Sequence, residues 1–176
     1  MKKILLVAAA AVAMLMSSCG SGIKVEMDNP TSQAITVAID GKEYNLAPME
    51  LIKVEGLKKG PHTMSVDGGA DISFDLEGDA LLNPTRSLYV TDVQEYSTGG
   101  GDMDTSEWVT VEIDGEEYFG PIKLYENQPV IKMDGIKIGL LEEFPDEVET
   151  LKNGSVFMTK IFRKADYFKY YEEAYY

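Results

Sequence analysis

A lone cysteine, Cys19, and a lone histidine, His62, limit the chemistry that this chain can carry. One thiol cannot close a disulfide within the chain, so Cys19 needs another explanation. Nucleophilic catalysis requires an activated nucleophile beside a base. His62 falls in a predicted strand and no serine stands in a Gly-x-Ser-x-Gly setting, so it reads as a half-exposed strand histidine. One histidine and one cysteine cannot supply the three or four nitrogen or sulfur donors that a zinc site needs. The sequence therefore assigns no catalytic residue, no metal ligand and no cofactor.

Carboxylates are the abundant reactive groups, at 30 Asp and Glu. Asp102, Asp104 and Glu107 superficially match the start of a calcium loop, but the pattern wants glycine at position six and glutamate at position twelve, where Glu107 and Ile113 stand. Glu142, Glu143, Asp146, Glu147 and Glu149 read as the wet face of a short helix. A glycan hydrolase would need two carboxylates facing each other across a cleft. Gly99, Gly100 and Gly101 precede Asp102, and an anion cradle would not place a carboxylate there. The tyrosine-rich tail is the remaining feature. Tyr167, Tyr170, Tyr171 and Tyr175 either pack on their own domain or offer an interaction surface, since tyrosine combines a flat apolar face with a hydroxyl.

These groups need elements to hold them, and the pattern is that of strands. Residues 36–44 (TVAIDGKEY) and 110–118 (TVEIDGEEY) agree at seven of nine positions. Each alternates apolar and polar residues up to Asp-Gly, the strongest short-range hairpin signal. The repeat is either a duplicated module or two hairpins with the same turn chemistry; Met133, Asp134, Gly135 and Ile136 carry the turn a third time. Alternation predicts strands over 25–27, 35–39, 44–46, 51–54, 62–66, 72–76 and 88–93, then over 108–113, 116–119, 130–133, 136–140 and 156–163. Residues 145–152 and the tail 165–176 read as helices, the tail with Phe168, Tyr171 and Tyr175 on one face. The fold class is mainly β: a small β-sandwich module over 23–96, a Gly-rich loop over 97–106, and a second β-rich module with a C-terminal helix over 107–176. The two halves either stand apart or share one core.

The N-terminus is an export signal: Lys2 and Lys3, an uncharged apolar run over 4–16, then small residues. That run is shorter than the roughly 20 apolar residues that span a bilayer. Met16, Ser17, Ser18 and Cys19 resemble the lipobox of bacterial lipoproteins. The resemblance implies cleavage after residue 18, a lipid with palmitate-type chains on Cys19, and residues 19–22 as tether to a membrane. Gly20 is not the aspartate that retains lipoproteins at the inner membrane in some Gram-negative bacteria, so the outer membrane is expected, with the periplasmic or surface face open.

Residues 36–68, with their Asp-Gly hairpin, Leu-Ala-Pro turn and Gly-Leu-Lys-Lys-Gly-Pro-His-Thr segment, resemble PEGA and carboxypeptidase-regulatory-like sandwich modules. The chain as a whole resembles envelope lipoproteins of anaerobic Gram-negative bacteria. Such modules imply a binding or accessory role toward an envelope protein or glycan. The net charge of −14 becomes −16 once Lys2 and Lys3 are removed, and it argues against nucleic acid, whose binding rests on basic residues. The expected function is non-enzymatic binding, with a carboxylate-based glycan hydrolase and a structural or stress-related lipoprotein as alternatives.

Overall fold

A computed structural model describes residues 22–97, 105, 106, 108–149 and 154–175, for the last of these the backbone alone. Cys19, Asp102, Asp104 and Glu107 lie outside them. The elements run β1 (Val25–Asp28), β2 (Ile35–Ile39), β3 (Lys42–Leu46), β4 (Leu51–Lys53), β5 (Gly60–Val66), β6 (Ile72–Leu76), β7 (Ala80–Leu82) and β8 (Tyr89–Ser97). They continue with β9 (Val109–Ile113), β10 (Glu116–Gly120), β11 (Lys123–Tyr125), β12 (Val130–Lys132), β13 (Ser155–Arg163) and α1 (Lys164–Tyr175). The protein is mainly β with one C-terminal helix.

Four layers stack along one axis. The sheet β3-β2-β5-β6 packs on the sheet β12-β7-β1-β4 through Met27, Val37, Met64, Leu76 and Leu82. The opposite face of that central sheet meets β11-β8-β13 through Leu81, Tyr89, Tyr125, Ile131 and Ile161. The far side of β8 and β13 is covered by α1 and the β9–β10 hairpin, with Val90, Phe162, Ile113 and Tyr167 between them. Because side chains alternate across a strand, Leu81 serves one core while its neighbours Ala80 and Leu82 serve the other.

The hairpins at 36–44 and 110–118 are β2–β3 and β9–β10, but the repeat that runs through the fold is a different one, in which β2 and β3 match β8 and β11. Asn29-Pro30-Thr31 follows β1 and Asn83-Pro84-Thr85 follows β7. Asn29 Nδ2 donates to the carbonyls of Gln33 (2.7 Å) and Ala47 (2.9 Å), and its Oδ1 accepts from the Thr31 hydroxyl (2.8 Å). Asn83 Nδ2 donates to Ser87 (2.8 Å) and Gln128 (3.0 Å), and its Oδ1 accepts from the Thr85 hydroxyl (3.3 Å). Both asparagines are fully buried, and each knot ties the end of its strand to the loop that leads into the antiparallel partner, β4 or β12. The order β3-β2-β5 is matched by β11-β8-β13, and the cross-strand pair Ile35–Leu46 by Tyr89–Tyr125. Residues 51–58 (LIKVEGLK) likewise match 130–137 (VIKMDGIK), a similarity that alternation alone does not bring out.

The copies join through the parallel pair β1–β7 in a shared central sheet. Val25 pairs with Ala80 and Met27 with Leu82, one residue away from the alignment of the asparagines. A one-residue step reverses which face a side chain takes, so Met27 packs toward the first copy's outer sheet and Leu81, its counterpart, toward the second's. The copies meet between β6 and β7 rather than at 97–106, and β8 and β13 pair across that loop over the whole length of β13.

Asp40-Gly41 and Asp114-Gly115 have φ of 48° and 83°, and 55° and 87°, the two positive values of a type I′ turn. Gly135 has φ 78° but Asp134 does not share it, and Ile136 N–H donates to the Met133 carbonyl at 3.1 Å, which makes a type II turn rather than a third hairpin. The strand expected over 136–140 reduces to one bridge, Ile138 with Lys160, on the free edge of β13. Residues 145–149 are not helical; the Tyr96 hydroxyl donates to the Pro145 carbonyl at 2.6 Å and holds the segment beside β8, and 150–153 lie outside the described residues. β7 and β11, three residues each, are too short to show a period.

Candidate functional site

Polar groups buried between the central sheet and β8–β13 form a closed network. Arg163 donates from Nε to Asp28 Oδ2 (2.9 Å) and from Nη2 to Asp28 Oδ1 (2.5 Å), and Nη2 also reaches the Met49 carbonyl (3.0 Å). The Tyr89 hydroxyl donates to Asp28 Oδ2 at 2.6 Å. Burial, and then the Asp28 charge, pushes that phenol far above its usual range, while the hydrogen bond to Asp28 holds the guanidinium proton more tightly still. All three side chains are buried, and Arg163 also lines the cleft against α1 described below. In the repeat Leu82 stands where Asp28 does, and Ile35 where Tyr89 does. The same position is thus apolar on one side of the central sheet and ionic on the other.

His62 is equally committed. Its Nδ1 lies 2.6 Å from Asp40 Oδ2 and its Nε2 2.8 Å from the Lys58 carbonyl. A carboxylate and a carbonyl oxygen both accept, so this geometry favours the doubly protonated ring. The Asp40 bond raises the histidine's pKa and His62 in turn lowers that of Asp40. The ring stacks on Phe74 at 5.5 Å, and the Thr63 N–H also donates to Asp40 (3.0 Å). His62 is a strand histidine whose side chain, 11% exposed, is more buried than the half-exposed position expected, and it clips β5 to the β2–β3 turn.

The tyrosine tail divides. Tyr167 is fully buried and cannot belong to an outer surface, which corrects that expectation for this residue. Its ring meets Phe162 at 5.6 Å and Tyr118 at 5.8 Å, and its hydroxyl donates to Asp92 at 3.4 Å. Burial raises the Asp92 carboxyl above the usual carboxylate range. Tyr171 meets Tyr118 edge-on at 4.9 Å and is half-buried. Tyr170, also half-buried, stacks on Phe162 at 4.8 Å and lines a cleft of about 320 Å³ between α1 and residues 140–143. The side chain of Tyr175 lies outside the described ones.

That cleft is the candidate site. Tyr170 and Phe162 form its aromatic wall, and Lys160, Lys169, Glu143 and Asp166 supply charge. Lys160 is buried, with Nζ donating to the Glu142 carbonyl and lying 4.8 Å over the Phe162 ring. Glu143 reaches it at 3.4 Å from a side chain that is 94% exposed. A buried cation beside an aromatic wall suits recognition of a ligand bearing both an apolar face and a carboxylate or hydroxyl. Phe162 and Lys160 were missed from sequence because they read as ordinary residues of an alternating strand. The Glu142 carboxylate, expected on a helix, instead accepts the Gly139 N–H at 2.7 Å and closes a turn. No group of three or more His, Cys, Asp or Glu able to hold a metal ion occurs among the described residues, and no described helix is long and apolar enough to cross a membrane.

The fold defines a mainly β protein built from two copies of one strand pattern, with a cleft against its terminal helix. Comparison with known proteins adds no relative: no protein-family model, no curated protein and no solved structure matches the chain.

Proposed function

We propose that the chain is a lipid-anchored cell-envelope protein, held at the outer membrane through Cys19, whose work is to bind an envelope glycan or peptide rather than to transform it. The observation that carries this reading is the lining of the cleft beside α1. His62, Asp28 and Tyr89 are bonded within the fold, while the cleft combines the Phe162 and Tyr170 rings with charges of both signs, of which Glu143, Asp166 and Lys169 are exposed. Burial shifts Asp92 toward its protonated form, the state a general acid needs, but Asp92 is 1% exposed and outside the residues that line the cleft.

Calorimetric titration with defined envelope glycans and short cell-wall peptides tests the reading. The wild-type protein should bind one of these classes, and Tyr170→Ala should weaken that binding by about tenfold, roughly the 1.4 kcal/mol of one lost ring contact. Cleavage of any glycan in the panel, or no binding to the panel together with no stoichiometric partner after cross-linking in envelopes, overturns it. Anchoring is tested separately: Cys19→Ala should block incorporation of a labelled fatty acid, and labelling that persists refutes the anchor.

A further inference from the structure

We infer that the end of the central sheet at which the chain enters the domain rests on the bilayer that holds the Cys19 lipid, with Leu141 dipping into the headgroup region. The inference rests on the reading of Cys19 as the lipidated residue and adds to it a face and a contact.

Reach comes first. Lys24 is pinned to the fold, its N–H donating to Asp79 Oδ1 at 2.7 Å and its carbonyl accepting from the Ala80 N–H at 3.0 Å. Five residue steps separate Cys19 from Lys24. At no more than about 3.6 Å each they span roughly 18 Å. A folded domain of this length has a radius of gyration of about 15 Å and is roughly 40 Å across. A tether shorter than the domain is wide brings one end of the molecule to the lipid and keeps the opposite end away.

That end presents an apolar crest. Leu141 is 68% exposed, the highest value among the large apolar side chains that stand out from the described surface. It shares a cleft of about 260 Å³ with Lys24, Lys53 and Ile52. Its presentation is fixed: Leu140 is buried beside it, the Glu142 N–H donates to the Gly139 carbonyl at 3.3 Å, and the Glu142 carboxylate caps Gly139 from the other side. One leucine adds only about 1.5–3 kcal/mol on burial, too little to hold a free protein on a membrane. Beside a lipid anchor it acts at high effective concentration and needs only to set the orientation.

Charge favours the same end. On a chain of net −14 several acids here are partnered, Glu26 by Lys24 (3.2 Å), Glu77 by Lys132 (2.7 Å) and Asp79 by the Lys24 N–H, while Glu142 and Glu143 follow Leu141 in the chain. Lys53 makes no ion pair among the described residues and is free to meet lipid phosphate. Lys53 thus offers a cation to lipid phosphate where the tether holds the domain closest.

The test uses the full lipidated chain in vesicles of phosphatidylethanolamine and phosphatidylglycerol. Acylation consumes the thiol of Cys19, so Leu141→Cys and, at the opposite end of β1, Ser32→Cys each accept one environment-sensitive fluorophore. Blue-shifted emission and severalfold stronger quenching by lipid-borne nitroxide at position 141 than at 32 are expected. Equal, water-like emission at both positions in protein that carries the acyl mass and floats with the vesicles overturns the contact alone, as does equal quenching at both. Protein without the acyl mass that fails to float overturns the Cys19 reading and this contact with it.

Discussion

Arg163 and Asp28, 135 positions apart in sequence, meet through two hydrogen bonds in a space that excludes water. They join the strand that opens the first copy of the repeat to the strand that closes the second. A buried pair is weak evidence of stability, because desolvation offsets much of the attraction. Arg163→Met leaves the Asp28 carboxylate without its cation and should cost about 3–5 kcal/mol in urea unfolding. The triple change Asp28→Leu, Tyr89→Phe, Arg163→Met copies the apolar arrangement that Leu82 and Ile35 contribute on the other side of the sheet. It should recover most of that loss, and a triple variant as unstable as the single one would show that the network cannot be replaced by packing.

His62 and Asp40 give stability a pH dependence of known sign. The histidine's pKa is raised, so its contribution is complete below the ordinary value of about 6.5 and is lost as pH rises through the raised value. The carboxyl of Asp40 is lowered, so its contribution is complete above about 3.9 and is lost as pH falls through the lowered value. Both act together between these limits. As pH rises above this range, melting temperature should fall for the wild type and stay level for His62→Gln; parallel curves would separate the histidine from the effect.

Asp92 works in the opposite sense to Asp40. Burial raises its folded pKa, so the stability it contributes is complete below about 3.9 and is lost as pH rises through the raised value. Asp92→Asn keeps an acceptor for the Val93 N–H, which sits 2.7 Å from the native Oδ1, and carries no charge to desolvate. Denaturant midpoints should show the variant more stable than wild type near pH 7, with the gap closing toward pH 4. A variant less stable at pH 7 would mean that the ionised carboxylate is used.

Gly41 has φ 83° and Gly115 has φ 87°, and a Cβ built at either position meets nothing within 4 Å. Substitution there acts through backbone conformation alone. Gly41→Val and Gly115→Val should each cost about 1–2 kcal/mol, and Gly69→Ala, at an ordinary φ but with its Cβ 3.0 Å from the Val66 carbonyl, should cost less if that loop shifts. Unchanged melting temperatures for both valine variants would remove the type I′ turns.

What the sequence determined by itself was whatever local backbone physics controls. Asp-Gly between two alternating runs favours two positive φ angles, so the hairpins at 40–41 and 114–115 were legible, though Asp134-Gly135 takes a type II turn instead; so were strands whose alternation lasts five residues or more and a helix whose aromatic residues recur three and four apart. Segments set by distant partners were not. β7 is buried on both faces and so shows no alternation, and residues 145–149 form no helix, with Pro145 held by Tyr96, a contact across 49 positions. Asp28, Tyr89 and Arg163 each look like any residue of a strand; only the tertiary structure brings three strands to one dry point and makes them a network. The cleft beside α1 has the same origin, since Tyr170 is visible as an aromatic while Lys160 and Phe162 acquire meaning from the helix that lies over them. Local conformational preference is written in neighbouring residues, whereas burial and pairing belong to chain segments that meet only when the fold closes.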